Sequence, residues 1–299
     1  MNDFLSKNRT QLMGYAILMV LVYHYGCWVH NFFGDYNVGF VGVDIFMFLS
    51  GWGLVFSYHK SKSVKEFYKK RAVRILPTFF LMYFIIIAYK IISPNLHESS
   101  LSIILELTTL SYWLQTDPNP TDWFLNCIIG FYFIFPILIK KISLPLCLFT
   151  TICVVLFDIT THVRWDLASG IDRLPIFAFG ILCSVKNYSN KTAMLYCALI
   201  CLLYIPMYKY VNERLALSFL MYVCMYVCSR IQLRKINIIE WMGKHSLSLY
   251  AANQVTFMFM SFTDRGFLIH SFAFIILQVL FTIMFLYNIR IVAKYIHLT

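Results

Sequence analysis

Charge is scarce in this chain: only 13% of its 299 residues are Asp, Glu, Lys or Arg, about half the share of an ordinary soluble domain. That excludes a water-facing surface over most of the molecule. Acidic residues are the scarcer kind, 14 against 25 Lys/Arg, which leaves a net charge of +11. The basic residues lie between apolar segments and form no continuous patch, so orientation in a bilayer explains them and nucleic acid is not an expected partner. Linkers, low-complexity runs and internal repeats are also missing, which leaves room for one membrane domain over 1–299. Nine cysteines are present. Cys147, Cys153, Cys183, Cys197, Cys201, Cys224 and Cys228 fall in or beside apolar runs without metal-ligand spacing, so they read as packing residues, and neither disulfides nor a metal site are expected. Nothing at the N-terminus reads as a cleaved signal. The first apolar segment carries Tyr15, Tyr23 and His24 and no small-x-small site follows, so it is expected to stay as the first span.

What is abundant is apolar length. With 60% apolar residues, 18% aromatics and a mean hydropathy of +0.69, the composition predicts an all-α, polytopic integral membrane protein in contact with membrane lipids. Runs long enough to cross about 30 Å of hydrocarbon lie at 11–29, 38–58, 75–93, 123–139, 144–160, 171–185, 192–208, 214–230, 244–262 and 271–290. Ten transmembrane helices follow. The apolar run 101–114 is read as a re-entrant or surface-lying segment, because counting it as a span would put most later basic loops outside. With the N-terminus inside, 19 of the 25 Lys/Arg face the cytoplasm. Both termini are then cytoplasmic, and the loops Gln115 to Asp122 and Asp264 to Gly266 lie outside.

Against this background a few polar residues stand out. The run from Phe67 to Pro77 holds Arg71 and Arg74 three apart, ending in a proline read as starting the next helix. On a helix both guanidinium forks face the same way and can grip phosphate bidentately. The competing reading is a positive-inside anchor with no ligand, and the charge run alone favours the anchor. His24, late in the first span, and Asp44, early in the second, both fall about a turn below the outer surface and could touch. A carboxylate on one ring nitrogen would fix the tautomer and leave the other as a base; a purely structural helix-helix hydrogen bond is the alternative. Gly51 and Gly53 around Trp52 suit close helix packing. Asp122-Trp123 and Asp172-Arg173-Leu174-Pro175 open spans from the outer side, where an interfacial role competes with one in holding an acceptor. Asn253 and Gln254 read as helix-bridging amides.

Taken in order, these segments resemble the integral-membrane acyltransferase-3 family. The pieces are Ala16 to His24, Gly42 to Gly51, Phe67 to Pro77, Trp123 with Phe131-Tyr132 and Pro136, Arg173 to Phe177 with Gly180, and Gly243 to Tyr250. The resemblance implies a membrane O-acyltransferase that moves an acyl group, acetyl in the first instance, from cytoplasmic acyl-CoA to a hydroxyl of a surface or exported polysaccharide or its lipid-linked precursor. It implies His24 as catalytic base and Arg71 and Arg74 at the CoA phosphates; Asp44 beside the base, and Trp123, Tyr132 and Arg173 on the acceptor side, complete the expected site. Acyl-CoA is then a donor substrate, not a resident cofactor. Three positions depart from the family pattern. Met13 stands where an arginine is common, with Arg9 one turn away as its substitute; Ile128 replaces a carboxylate; and Asn253 replaces a histidine. A transporter of a polar solute and a non-catalytic subunit of a glycan-assembly complex are the alternatives. The lack of a repeated half weighs against the first, and the coexistence of His24, Asp44, Arg71 and Arg74 against the second.

Overall fold

The computed structural model describes residues 2–29, 38–92, 99–116, 122–161, 165–185, 190–207, 213–230, 233–260 and 267–296. The outer loops expected at 117–121 and 264–266 lie outside that range. Among the described residues every regular element is a helix. In chain order they are α1 (Asn2–Val29), α2 (Val38–His59), α3 (Val64–Ile92), α4 (Ser100–Leu107), α5 (Leu110–Leu114), α6 (Trp123–Lys141), α7 (Leu144–Thr160), α8 (Trp165–Ile171), α9 (Leu174–Val185), α10 (Asn190–Met207), α11 (Glu213–Cys228), α12 (Asn237–Lys244), α13 (Ser246–Met260) and α14 (Phe267–Ile296).

Each of the ten apolar runs coincides with a helix or helix pair, and among the described residues five stretches are long and apolar enough to cross a membrane: Gly39–His59, Val64–Ile92, Trp123–Lys141, Asp166–Val185 and Ser271–Tyr295. Leu144–Thr160, Ala193–Leu202 and Ser218–Cys228 are apolar but shorter. These five spans make the protein a multi-pass membrane protein. The apolar run after Ile92 does not span. It breaks into α4 and α5 at Thr109, whose φ is 65°, and eight residues of helix cover only about 12 Å. Buried Glu106 of α4 pairs with Lys90 of α3, and the Tyr112 hydroxyl of α5 donates to the Asp166 carbonyl (3.2 Å).

Two boundaries differ from the sequence reading for identifiable reasons. Pro77 does not start a helix: α3 runs unbroken from Val64, so Arg71 and Arg74 belong to the same helix as the span. Proline inside a helix is tolerated in membranes where neighbouring helices pack around the freed carbonyl, and Ile75, Thr78 and Phe79 beside it are buried. The span expected at 171–185 instead turns at Asp172-Arg173. Pro175 cannot donate to the carbonyl four residues back but fits the first turn of a new helix, so the helix resets there.

Close approaches set the packing. A Cβ on Gly51 of α2 would lie 2.2 Å from the Phe177 carbonyl of α9, and one on Gly180 of α9 would lie 2.3 Å from the Phe48 carbonyl of α2. The two backbones touch, as small residues allow in membranes. On α14 the buried stripe Phe274, Thr282 and Phe285 faces the bundle, while Phe272, Ile275, Ile276, Val279, Leu280 and Ile283 are exposed. That outer face suits lipid.

Candidate functional site

α1 is one continuous helix, so Arg9 and His24, fifteen residues apart, are separated by about 22 Å along its axis. Each sits in a cavity, and a third, smaller cavity lies between them.

The first, about 320 Å³, is lined by Arg9 and Met13 of α1, Ser50 and Gly53 of α2, Arg71 and Arg74 of α3, and Tyr132 of α6, with Lys60 and Lys70 at its edge. Arg71 and Arg74 share a helix face as their spacing requires, and Arg9 comes to them from α1 with its guanidinium against Gly53. A Cβ there would sit 2.7 Å from Arg9 Nη2. The carboxylate nearest in sequence, Glu66, is taken by Lys70 at 2.7 Å. Arg9 Nε and Arg71 Nε are buried without a hydrogen-bond partner, and no carboxylate pairs with Arg9, Arg71 or Arg74 among the described residues. Guanidinium groups beside a cavity without a carboxylate partner have the chemistry to match an anion with several oxygens.

The second cavity, about 200 Å³, is lined by Tyr23 and His24 of α1, Phe40 and Val43 of α2, Trp123 of α6, and Tyr250, Gln254 and Phe257 of α13. His24 Nδ1 is hydrogen-bonded to Asn253 Oδ1, and the Phe257 ring lies 5.1 Å from the imidazole, centroid to centroid. The expected His24–Asp44 contact does not form. Asp44 pairs instead with Arg173 (Oδ1 to Nε, 3.1 Å), and both side chains are 0% exposed. The turn that Pro175 imposes brings Arg173 to this position, and its guanidinium also donates to the Ser169 carbonyl. It lies 5.0 Å from the ring centres of both Phe40 and Trp123, the aromatic wall of the cavity. Arg173 is therefore behind the wall and does not line the cavity.

A third cavity, of about 70 Å³, shares walls with both. It shares Met13, Ser50, Arg74 and Tyr132 with the arginine cavity and Tyr250 with the histidine cavity, and Phe46, Phe124, Leu125 and Ile128 complete its walls. Tyr132, expected with Trp123 on the acceptor side, lies with the arginines. At the other end of this cavity the Tyr250 hydroxyl donates to Asp122 Oδ1 (2.6 Å), and the same oxygen caps α6 by accepting from the Phe124 and Leu125 amides (3.0 and 3.3 Å). Asp122 thus ties α13 to the start of α6. Sequence reasoning took it for an interfacial residue. The signal that could have identified it is its place one residue before an apolar run, where an aspartate is a helix cap.

The three departures from the family pattern all fall in this system: Met13 and Ile128 line the third cavity, and Asn253 holds the histidine. Of the residues singled out from sequence, the structure brings Arg9, Arg71, Arg74 and Tyr132 together at one end and His24 and Trp123 at the other.

Comparison with known proteins gives this arrangement a family. Residues 13–288 match the Acyl_transf_3 model, described as an acyltransferase domain. The chain is also similar to Acyltransferase MdmB of Streptomyces mycarofaciens, at 28% identity over 44% of this chain. That alignment covers 40% of the relative's length. No solved structure matches. A family match spanning nearly the whole chain makes this protein a member of the membrane-bound acyltransferase-3 family.

Proposed function

We propose that the protein is an O-acyltransferase that takes an acetyl group from acetyl-CoA at the arginine cavity and delivers it, at the histidine cavity, to a hydroxyl of an exported glycan or its lipid-linked precursor. The observation that carries this reading is the series of three cavities with shared walls, running from unpaired arginines to a histidine about 22 Å away on the same helix. A polyphosphate group suits the arginine end. A long, thin, mostly uncharged arm suits the passage between Phe46, Phe124 and Ile128.

In this reading the basic end faces the cytoplasm, where acyl-CoA is made, and the aromatic end faces the acceptor. Arg9, Arg71 and Arg74 hold the nucleotide phosphates, with Arg9 standing in for the arginine that Met13 lacks. Tyr23, Phe40, Trp123 and Phe257 give the acceptor flat apolar surfaces of the kind that pack against sugar rings. The neutral His24 imidazole takes the proton of the acceptor hydroxyl while its oxygen attacks the thioester carbonyl. The carbon–sulfur bond then breaks, and the CoA thiolate leaves and recovers that proton from the imidazolium. Asp44 acts through Arg173 on the wall and does not itself orient the base.

The test compares surface glycan from the parent, a deletion strain and a strain carrying His24→Ala, by mass and by release of base-labile acetate. Deletion should remove the ester, and His24→Ala should lower transfer by about 10²–10⁴-fold, the usual contribution of a general base, with normal membrane insertion. An ester level in the His24→Ala strain equal to the parent's would remove His24 from the chemistry.

A further inference from the structure

We infer that two side-chain amides, Asn253 and Gln278, fix His24 as the neutral tautomer carrying its proton on Nδ1, so that Nε2 is the basic nitrogen. The inference rests on the reading of His24 as the base, and it names the positioning residues of that site. Its starting point is on α14, where Gln278 follows the inward stripe of Phe274, Thr282 and Phe285.

The orientation of each amide follows from its neighbours. Gln278 Nε2 lies 3.2 Å from the Leu249 carbonyl, which can only accept. The same nitrogen lies 3.4 Å from Thr282 Oγ1, whose own proton goes to the Gln278 carbonyl at 2.6 Å. Two acceptors therefore hold the nitrogen end of the amide. Gln278 Oε1 is left to accept from Asn253 Nδ2 at 3.2 Å. With its nitrogen committed to α14, Asn253 turns its oxygen to His24 Nδ1. An amide oxygen has no proton to give, so the hydrogen in that contact belongs to the imidazole. A neutral ring protonated on Nδ1 has its lone pair on Nε2.

The relay runs from α1 through α13 to α14, and each amide would lose a hydrogen bond by turning over. It also accounts for the absence of a carboxylate at this nitrogen. An amide orients the ring without adding negative charge, so the imidazole is not held in its protonated form before the acceptor arrives. The charge of Asp44 is meanwhile engaged by Arg173.

The tautomer can be read without catalysis. The protein would be prepared in lipid nanodiscs with ¹⁵N-labelled histidine rings, and the His24 signals assigned by their loss in His24→Ala. At neutral pH, Nδ1 should appear protonated and Nε2 unprotonated. A protonated Nε2, in the other neutral tautomer or in an imidazolium, would overturn the inference. Kinetics supply a second reading. Gln278→Leu should lower kcat for acyl transfer tenfold or more and leave the KM for acetyl-CoA within about twofold, because the relay touches only the base. Asn253→Leu removes the accepting oxygen at Nδ1 and should lower kcat at least as far; kcat equal to the parent's in that variant would also overturn the inference. Failure of His24 as the base would show separately, as transfer persisting in His24→Ala.

Discussion

At the arginine end of the cavity system, buried guanidinium nitrogens of Arg9 and Arg71 have no hydrogen-bond partner. At the histidine end, His24, Asp44 and Asp122 are each held by a named neighbour: Asn253, Arg173 and Tyr250. The difference separates two kinds of site. Cations left unpaired beside a cavity are costly unless something enters to pair with them, and in the proposed reading that end is organised around a ligand. Side chains paired within the protein hold a fixed geometry, and in the proposed reading the other end is organised around a reaction. The cavity between them is lined mostly by apolar and aromatic side chains and adds neither feature.

The sharpest way to break this comparison is to disturb the buried pair. Asp44→Ala should leave Arg173 charged, buried and unmatched, at a cost of about 3–5 kcal/mol. The loss should appear first as reduced recovery of folded protein and a lower melting temperature in detergent. Arg173→Met in the same chain removes the orphaned charge and should restore much of the folded yield and, with it, transfer. If the double variant folds like the parent but does not transfer, Asp44 belongs to the chemistry and the wall reading fails.

The pair also shows what the sequence could and could not reveal. The helices were legible because apolar length is a local property, and Arg71 and Arg74 were legible as a face because their spacing alone aligns them on a helix. His24 and Asp44 were legible as polar residues at matching depth. Which polar residue meets which was not, because a partner's approach depends on helix rotation and on a helix break. Pro175 shifts Arg173 out of an interfacial position and onto Asp44, and Asn253 reaches His24 only because α13 lies against α1. Gln278 gave a faint signal, one amide in a long apolar run, that gains meaning only beside Asn253. Pro77 misled in the opposite direction: a residue that usually starts helices sits inside one.

At the arginine end the comparison predicts a smaller and more selective effect. Arg71→Lys or Arg74→Lys keeps the charge but loses the planar fork, and one bidentate contact is worth on the order of 1.5–3 kcal/mol. Acyl-CoA affinity should fall roughly ten- to hundredfold, with turnover at saturating donor little changed and insertion normal. Binding measured on the purified variants decides between ligand site and anchor. Unchanged affinity in both would reduce the pair to a topology signal.

The smallest effect is expected at Gly53, and it isolates the role of Arg9. In Gly53→Ala the new methyl would come within 2.7 Å of Arg9 Nη2, but that atom ends a flexible side chain and can move aside. Stability should change by less than about 1 kcal/mol. The guanidinium should be displaced by a few tenths of an ångström from Arg71 and Arg74, raising the KM for acetyl-CoA several-fold while kcat holds. Gly180→Ala provides the contrast, because there the methyl would meet the Phe48 backbone carbonyl at 2.3 Å and α2 and α9 would have to separate. That variant should lose folded protein instead of donor affinity. A Gly53→Ala protein whose KM for acetyl-CoA matches the parent's would show that Arg9 lies beside the donor site without gripping the donor, leaving Arg71 and Arg74 to hold the phosphates alone.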